Sequence, residues 1–128
     1  RYARRGPNQQ NLPGLDQPEI DAEQMIAGYR QIVARAHEKG IKVIASPIGP
    51  YMGAAYWSEE GEAARQTINE WILNSGTFDG IVRLDTAFAD PAEPRQMRDG
   101  YHIGDHLHGS PAGLKAVGES IDLSLFRR

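Results

Sequence analysis

The densest cluster of groups able to move protons is Tyr101-His102-Ile103-Gly104-Asp105-His106-Leu107-His108-Gly109-Ser110. Asp105 and His108 stand three positions apart just before a predicted helix, a span over which a turn can place both side chains on one side. A carboxylate so placed accepts from an imidazole Nδ1–H, fixes the tautomer and stabilises the imidazolium, leaving Nε2 free as a general base. The same loop admits a second chemistry. His102, His106 and His108 with Asp105 offer the nitrogen and oxygen ligands that zinc takes. His106 and His108, two apart, point to opposite sides of an extended chain, which works against a shared ion and ranks zinc lower. No cofactor is expected. The chain has no cysteine, which excludes disulfides, thiolate metal sites and cysteine nucleophiles together.

A general base needs a hydroxyl to act on, and the serines are Ser46, Ser58, Ser75, Ser110, Ser120 and Ser124. Ser58 and Ser110 read as helix caps, Ser46 as a strand end, and the others as helix positions or ends. No Gly-x-Ser-x-Gly elbow is present. Tyr51 and Tyr56 follow the first predicted strand and are placed to border a substrate pocket. Trp71 shares a helix face with Ile68 and Ile72 and reads as core. Glu59, Glu60 and Glu62 sit at a helix start, where negative charge suits the macrodipole, and His37 suits a helix C-terminus for the complementary reason.

The elements that must position these groups are legible in the periodicity. Met25, Ile26, Tyr29, Ile32, Val33 and Ala36 recur at helical spacing, with Asp21 and Gln24 set as a capping box and Gly40 as the stop. Residues 41–46 are short, mostly apolar and bounded by Gly40 and Pro47, as expected of a strand buried in a parallel sheet. Ser58 opens a helix from Glu59 to about Asn74. Residues 81–84 read as a second strand, and residues 90–109 as a long polar loop. Ser110-Pro111 introduces a last helix, with Leu114, Val117, Ile121 and Leu125 on its buried side.

Strands alternating with helices imply βαβ units and a parallel sheet. Two strands are too few to cover such helices, so the chain, which opens on Arg1, reads as the C-terminal portion of a larger α/β domain. Residues 1–20, punctuated by Pro7, Pro13, Gly14 and Pro18, read as an irregular N-terminal arm, and residues 21–128 as the domain portion. A net charge of −3 argues against binding nucleic acid through its phosphates. No apolar run approaches the ~18 residues a membrane span needs.

The run Gly104-Asp105-His106-Leu107-His108, followed by Ser110-Pro111-Ala112-Gly113 and an amphipathic helix, resembles the last catalytic block of the SGNH, or GDSL-type, serine hydrolases. Residues 23–44 resemble the helix and strand leading to that family's Pro-containing loop, here Pro47 to Pro50, and Asp79-Gly80-Ile81-Val82-Arg83-Leu84-Asp85 resembles its final strand. The resemblance covers roughly residues 21–128 and implies a flavodoxin-like three-layer α/β/α sandwich, incomplete in this chain. It implies ester hydrolysis by a Ser-His-Asp mechanism on a lipid, sugar acetate or short-chain ester, with His108 as base and Asp105 as its orienter. Many relatives are exported, although nothing in these residues marks a compartment.

Three departures stand out. Gly109 replaces the family's usual proline after the histidine. No Gly-Asp-Ser stretch exists, so the nucleophilic half of the triad is missing from these residues and the isolated chain is expected to be inactive. Gly6-Pro7-Asn8 is close to the family's Gly-x-Asn-Asp block, but Gln9 replaces the aspartate and no apolar strand precedes it, so the likeness reads as coincidental. A non-catalytic interaction module, or a split enzyme completed by the missing N-terminal half of the domain, are the alternatives.

Overall fold

A computed structural model of the chain describes residues 21–127. The N-terminal arm over residues 1–20 lies outside them. The first helix, α1 (Ala22–Glu38), begins as the sequence directs: Asp21 accepts from the Gln24 amide and the Gln24 side chain returns to the Asp21 amide. Gly40 follows at φ +70, where a side chain would be strained. Ser58 caps α2 (Glu59–Asn74) by accepting from the Gly61 N–H, and Ser110 caps α4 (Pro111–Ser120) by accepting from Gly113. Caps of this kind each contribute about 1 kcal/mol.

Between α1 and α2 lies β1 (Ile44–Ala45), which pairs in parallel with β2 (Gly80–Ile81) in the register Ile44 with Gly80 and Ala45 with Ile81. Both strands are shorter than the expected 41–46 and 81–84. Ile41 is largely exposed, and the Val43 N–H is taken by the Asp79 carboxylate at 2.7 Å. After Val82 the backbone turns into a short helix, α3 (Leu84–Phe88), so Leu84 starts a helix instead of ending a strand.

The stretch expected to be a long loop contains an antiparallel pair, β3 (Ala89–Asp90) and β4 (Glu93–Met97), with a bulge beside Ala89 and Asp90. Asp90 Oδ1 accepts from the Ala92 N–H across the turn. Asp90-Pro91 is a turn former that periodicity alone passes over.

The core gathers on α2. Ile68 is wholly buried and Ile72 nearly so, with Val33 of α1, Met97 of β4, Tyr51 and Ala54. Fully burying one such aliphatic side chain is worth roughly 1.5–3 kcal/mol. Trp71 packs as expected: Tyr29 stacks on it at 6.3 Å, Phe78 meets it edge-on at 5.6 Å, and Arg30 lies over its ring.

Two predicted core positions are corrected. Ile32 of α1 is 59% exposed and Leu114 of α4 is 58% exposed. Both sit where an amphipathic face extends beyond the described residues that pack on it. The last helix also stops at Ser120, and Leu125 belongs to a separate 3₁₀ turn (Leu123–Phe126).

Candidate active site

The segment joining β4 to α4 is a closed loop in which the main chain folds back on itself. Ser110 N–H donates to Tyr101 O at 2.9 Å, Ile103 N–H donates to His108 O at 3.0 Å, and His102 bridges Gly109 in antiparallel fashion. Ser110 Oγ donates to Gly100 O while accepting from Gly113 N–H, so the cap of α4 also seals the loop's neck. Gly113 must be glycine for this closure, because a Cβ there would overlap the Tyr101 carbonyl oxygen.

At the tip, Asp105 and His108 meet. Asp105 Oδ2 lies 2.5 Å from His108 Nδ1, and Oδ1 accepts the main-chain N–H groups of Leu107 at 3.0 Å and His108 at 2.9 Å. The His108 ring and then the His108 and Leu107 amides hold the Asp105 carboxyl well below the ordinary carboxylate range. With the carboxylate ionised, the proton of the His108–Asp105 bond sits on Nδ1, and a neutral His108 then carries its lone pair on Nε2. The His108 side chain is 70% exposed, and its Nε2 makes no hydrogen bond among the described residues. Such a pair can accept a proton from a hydroxyl brought to Nε2.

Gly109, standing where proline was expected, does not keep the pair apart. A Cβ at Gly109 would meet Leu114 Cδ2 at 2.9 Å and Phe88 Cε1 at 3.2 Å, so a larger residue here requires those side chains to shift.

Tyr51 and Tyr56 flank an apolar cleft of about 470 Å³ that also takes in Pro47, Phe88, Met97 and Leu107, the last being the residue before His108. Tyr51 is buried and Tyr56 is 46% exposed, so only Tyr56 presents much of its ring to solvent. Ile48, which also lines the cleft, is tied to α2. Asn69 Oδ1 accepts from Ile48 N–H at 2.6 Å, and Ile48 O accepts from Asn69 Nδ2 at 2.9 Å and Arg65 Nη1 at 3.1 Å.

Arg65 is in turn paired with Glu62 through two hydrogen bonds, both side chains buried. Burial pushes the Glu62 carboxyl up, but the bonds from Arg65 and Gln66 outweigh it and leave it lowered. Glu62 is therefore more than a macrodipole charge, which corrects the sequence expectation. His37 is corrected likewise: its Nε2 lies 2.8 Å from Asp79 Oδ2, tying the end of α1 to the β1–β2 pair.

The zinc alternative is not assembled. His102 Nδ1 is occupied by two main-chain N–H groups, and among the described residues no three His, Asp or Glu side chains are grouped to hold a metal. Sequence reasoning missed the Asn69–Ile48 clamp and the packing of His106 against Gly53, where a Cβ would lie 2.9 Å from the imidazole Cγ. Only the Gly-rich texture around Gly49 and Gly53 hinted at close approach.

Residues 6–116 match the GDSL-like lipase/acylhydrolase family. The chain belongs to that family. The matched span opens at Gly6 and so takes in Gly6-Pro7-Asn8. No curated protein matches the sequence significantly. Among solved structures, this chain is similar to the 2.00 Å crystal structure of a protein from Bacteroides fragilis NCTC 9343 described as a putative acylhydrolase, with TM-score 0.67 and 12% identity. The likeness covers 86% of this chain and 54% of that one, so this chain spans about half the length of that relative. At such identity the likeness speaks to fold, and it agrees with an incomplete α/β fold of the SGNH type built on a small parallel sheet.

Proposed function

We propose that residues 21–128 are the C-terminal portion of an SGNH-type hydrolase domain, preceded by an arm over residues 1–20, and that they supply the acid–base half of a Ser-His-Asp ester hydrolase. The observation that carries this reading is the Asp105 carboxylate on the Nδ1 edge of His108, whose Nε2 makes no hydrogen bond among the described residues. In the reaction, Nε2 takes the proton of a serine hydroxyl as its oxygen attacks the ester carbonyl carbon. The proton then passes to the departing alkoxide, leaving an acyl-serine. Water repeats the cycle on the acyl-serine, releasing the acid and restoring the serine.

The nucleophile comes from polypeptide outside these 128 residues, because no Gly-Asp-Ser segment occurs within them. The substrate is an ester of a lipid, an acetylated sugar or a short-chain acid, with Tyr51 and Tyr56 bordering it across the apolar cleft.

A split arrangement, with the serine on a partner chain, is the second reading. It is favoured by β1, which has a paired neighbour on one side only among the described residues, and by the exposed Ile32 and Leu114. The test mixes the full chain with a polypeptide carrying the serine-bearing half of a GDSL-type domain and follows p-nitrophenyl butyrate hydrolysis. Turnover should appear only in the mixture and vanish with His108→Ala. Binding without turnover favours the non-catalytic module. Stoichiometric labelling of a serine on the isolated chain by a fluorophosphonate overturns the proposal, since losing a triad nucleophile costs about a millionfold.

A further inference from the structure

His102 takes no part in the proton transfer described above, yet its ring sits at the centre of the loop that carries it. Nδ1 of His102 accepts the main-chain N–H of Gly104 at 3.0 Å and that of His106 at 3.2 Å. These two residues flank Asp105, and both have left-handed backbones, Gly104 at φ +109 and His106 at φ +58. Glycine adopts such a conformation freely, whereas a residue with a Cβ is strained in it. His106 is the one residue other than glycine with positive φ among the described residues. Something must hold it there.

Three contacts hold it. The His106 N–H is bound to His102, and its ring stacks on the His102 ring with centroids 4.3 Å apart and planes 30° from parallel. Gly53 also lies against the His106 ring, at φ +98 and with no room for a Cβ. Accepting two N–H groups requires a bare Nδ1, so His102 is a neutral imidazole with its proton on Nε2.

Resting on the reading of Asp105 and His108 as an acid–base pair, we propose that His102 is a positioning residue for that pair. By accepting from the amides on both flanks of Asp105, it fixes the left-handed turn that delivers the Asp105 carboxylate to the His108 Nδ1–H and to the Leu107 and His108 amides. What the site needs at position 102 is an acceptor at the place of Nδ1. The aromatic ring and its stacking on His106 are secondary.

The geometry names its own rescue. Asparagine places Oδ1 where histidine places Nδ1, glutamine carries its oxygen one bond farther, and phenylalanine keeps the ring without an acceptor. The experiment uses the full chain, isotopically labelled, with two readouts: the far-downfield Nδ1 proton resonance of His108, and hydrogen exchange of the Leu107 and His108 amides.

His102→Asn should keep the resonance and near-native exchange. His102→Phe should lose the resonance and accelerate both amides by roughly tenfold to a hundredfold, as expected for two hydrogen bonds of ordinary net strength. Should the phenylalanine variant not fold, His102→Gln makes the same comparison. A phenylalanine or glutamine variant that keeps the resonance and slow exchange overturns the proposal, as does an asparagine variant that loses them. Absence of the resonance in the unsubstituted chain is a different failure, because it removes the Asp105–His108 pair itself.

Discussion

Consider replacing Asn69 with leucine, a side chain of similar size that can neither donate nor accept. Asn69 is 9% exposed on α2 and meets both main-chain groups of Ile48, accepting at 2.6 Å and donating at 2.9 Å. The two lost bonds are not equivalent. Ile48 O keeps Arg65 Nη1 at 3.1 Å, so losing the Asn69 amide there costs only an ordinary net bond, about 1 kcal/mol. Ile48 N–H is left with no replacement among the described residues, and an orphaned donor costs about 1–3 kcal/mol. Leucine's better helix propensity returns about 0.5 kcal/mol. The net loss is therefore about 1.5–3.5 kcal/mol, a large part of the 5–15 kcal/mol by which domains are typically stable.

Urea unfolding of the full chain measures it as a lower midpoint at unchanged slope. As a control, Asn74→Leu on the exposed last turn of the same helix should stay within about 0.5 kcal/mol. A loss for Asn69→Leu no larger than that control would refute the assignment of the Pro47–Pro50 loop to this clamp.

Further outcomes follow from the same contacts. Ile68→Ala removes a fully buried side chain and should cost about 2–5 kcal/mol in urea unfolding, whereas Ile32→Ala, on a 59% exposed residue, should cost a small fraction of that. Gly113→Ala sets a helix-propensity gain of about 1 kcal/mol against overlap with the Tyr101 carbonyl, typically 1–3 kcal/mol. Overlap should win, and a rise in Tm would show that it does not. Asp105, through its bonds from His108 and Leu107, and Asp79, through the Val43 N–H and His37, are held below the ordinary aspartate value of about 3.9. Their stabilisation is fully present above that value and is lost as pH falls through their lower folded values. Melting between about pH 5 and pH 2 should therefore fall less steeply in Asp105→Asn and Asp79→Asn than in the unsubstituted chain.

The helices were legible in the sequence because their signals are local. Asp21 with Gln24, Ser58, and Ser110 with Pro111 all stand where the chain begins to coil. The strands were legible in kind but not in extent, since strand ends depend on partners: Asp79 claims the Val43 N–H, and Leu84 is drawn into α3. The β3–β4 pair escaped a search for alternation because its first strand is two residues long and bulged.

At the site, a three-residue spacing was enough to bring Asp105 and His108 together, because a single turn settles it. The contribution of His102 was not legible in this way. It depends on a left-handed backbone at His106, and that in turn depends on Gly53, fifty-odd residues earlier in the chain. The buried Glu62–Arg65–Asn69 series was hidden for another reason. Three polar residues on a helix look solvated until the loop they grip is in place.

The central claim is that Asp105 holds His108 with its proton on Nδ1 and its lone pair on Nε2. Long-range proton–nitrogen spectra of the imidazole, recorded on the neutral ring, read the tautomer directly. The unsubstituted chain should show a protonated Nδ1 and a bare Nε2, and Asp105→Asn should shift the balance toward Nε2–H. A ring already protonated on Nε2, or one averaging between tautomers as free imidazole does, would contradict the claim.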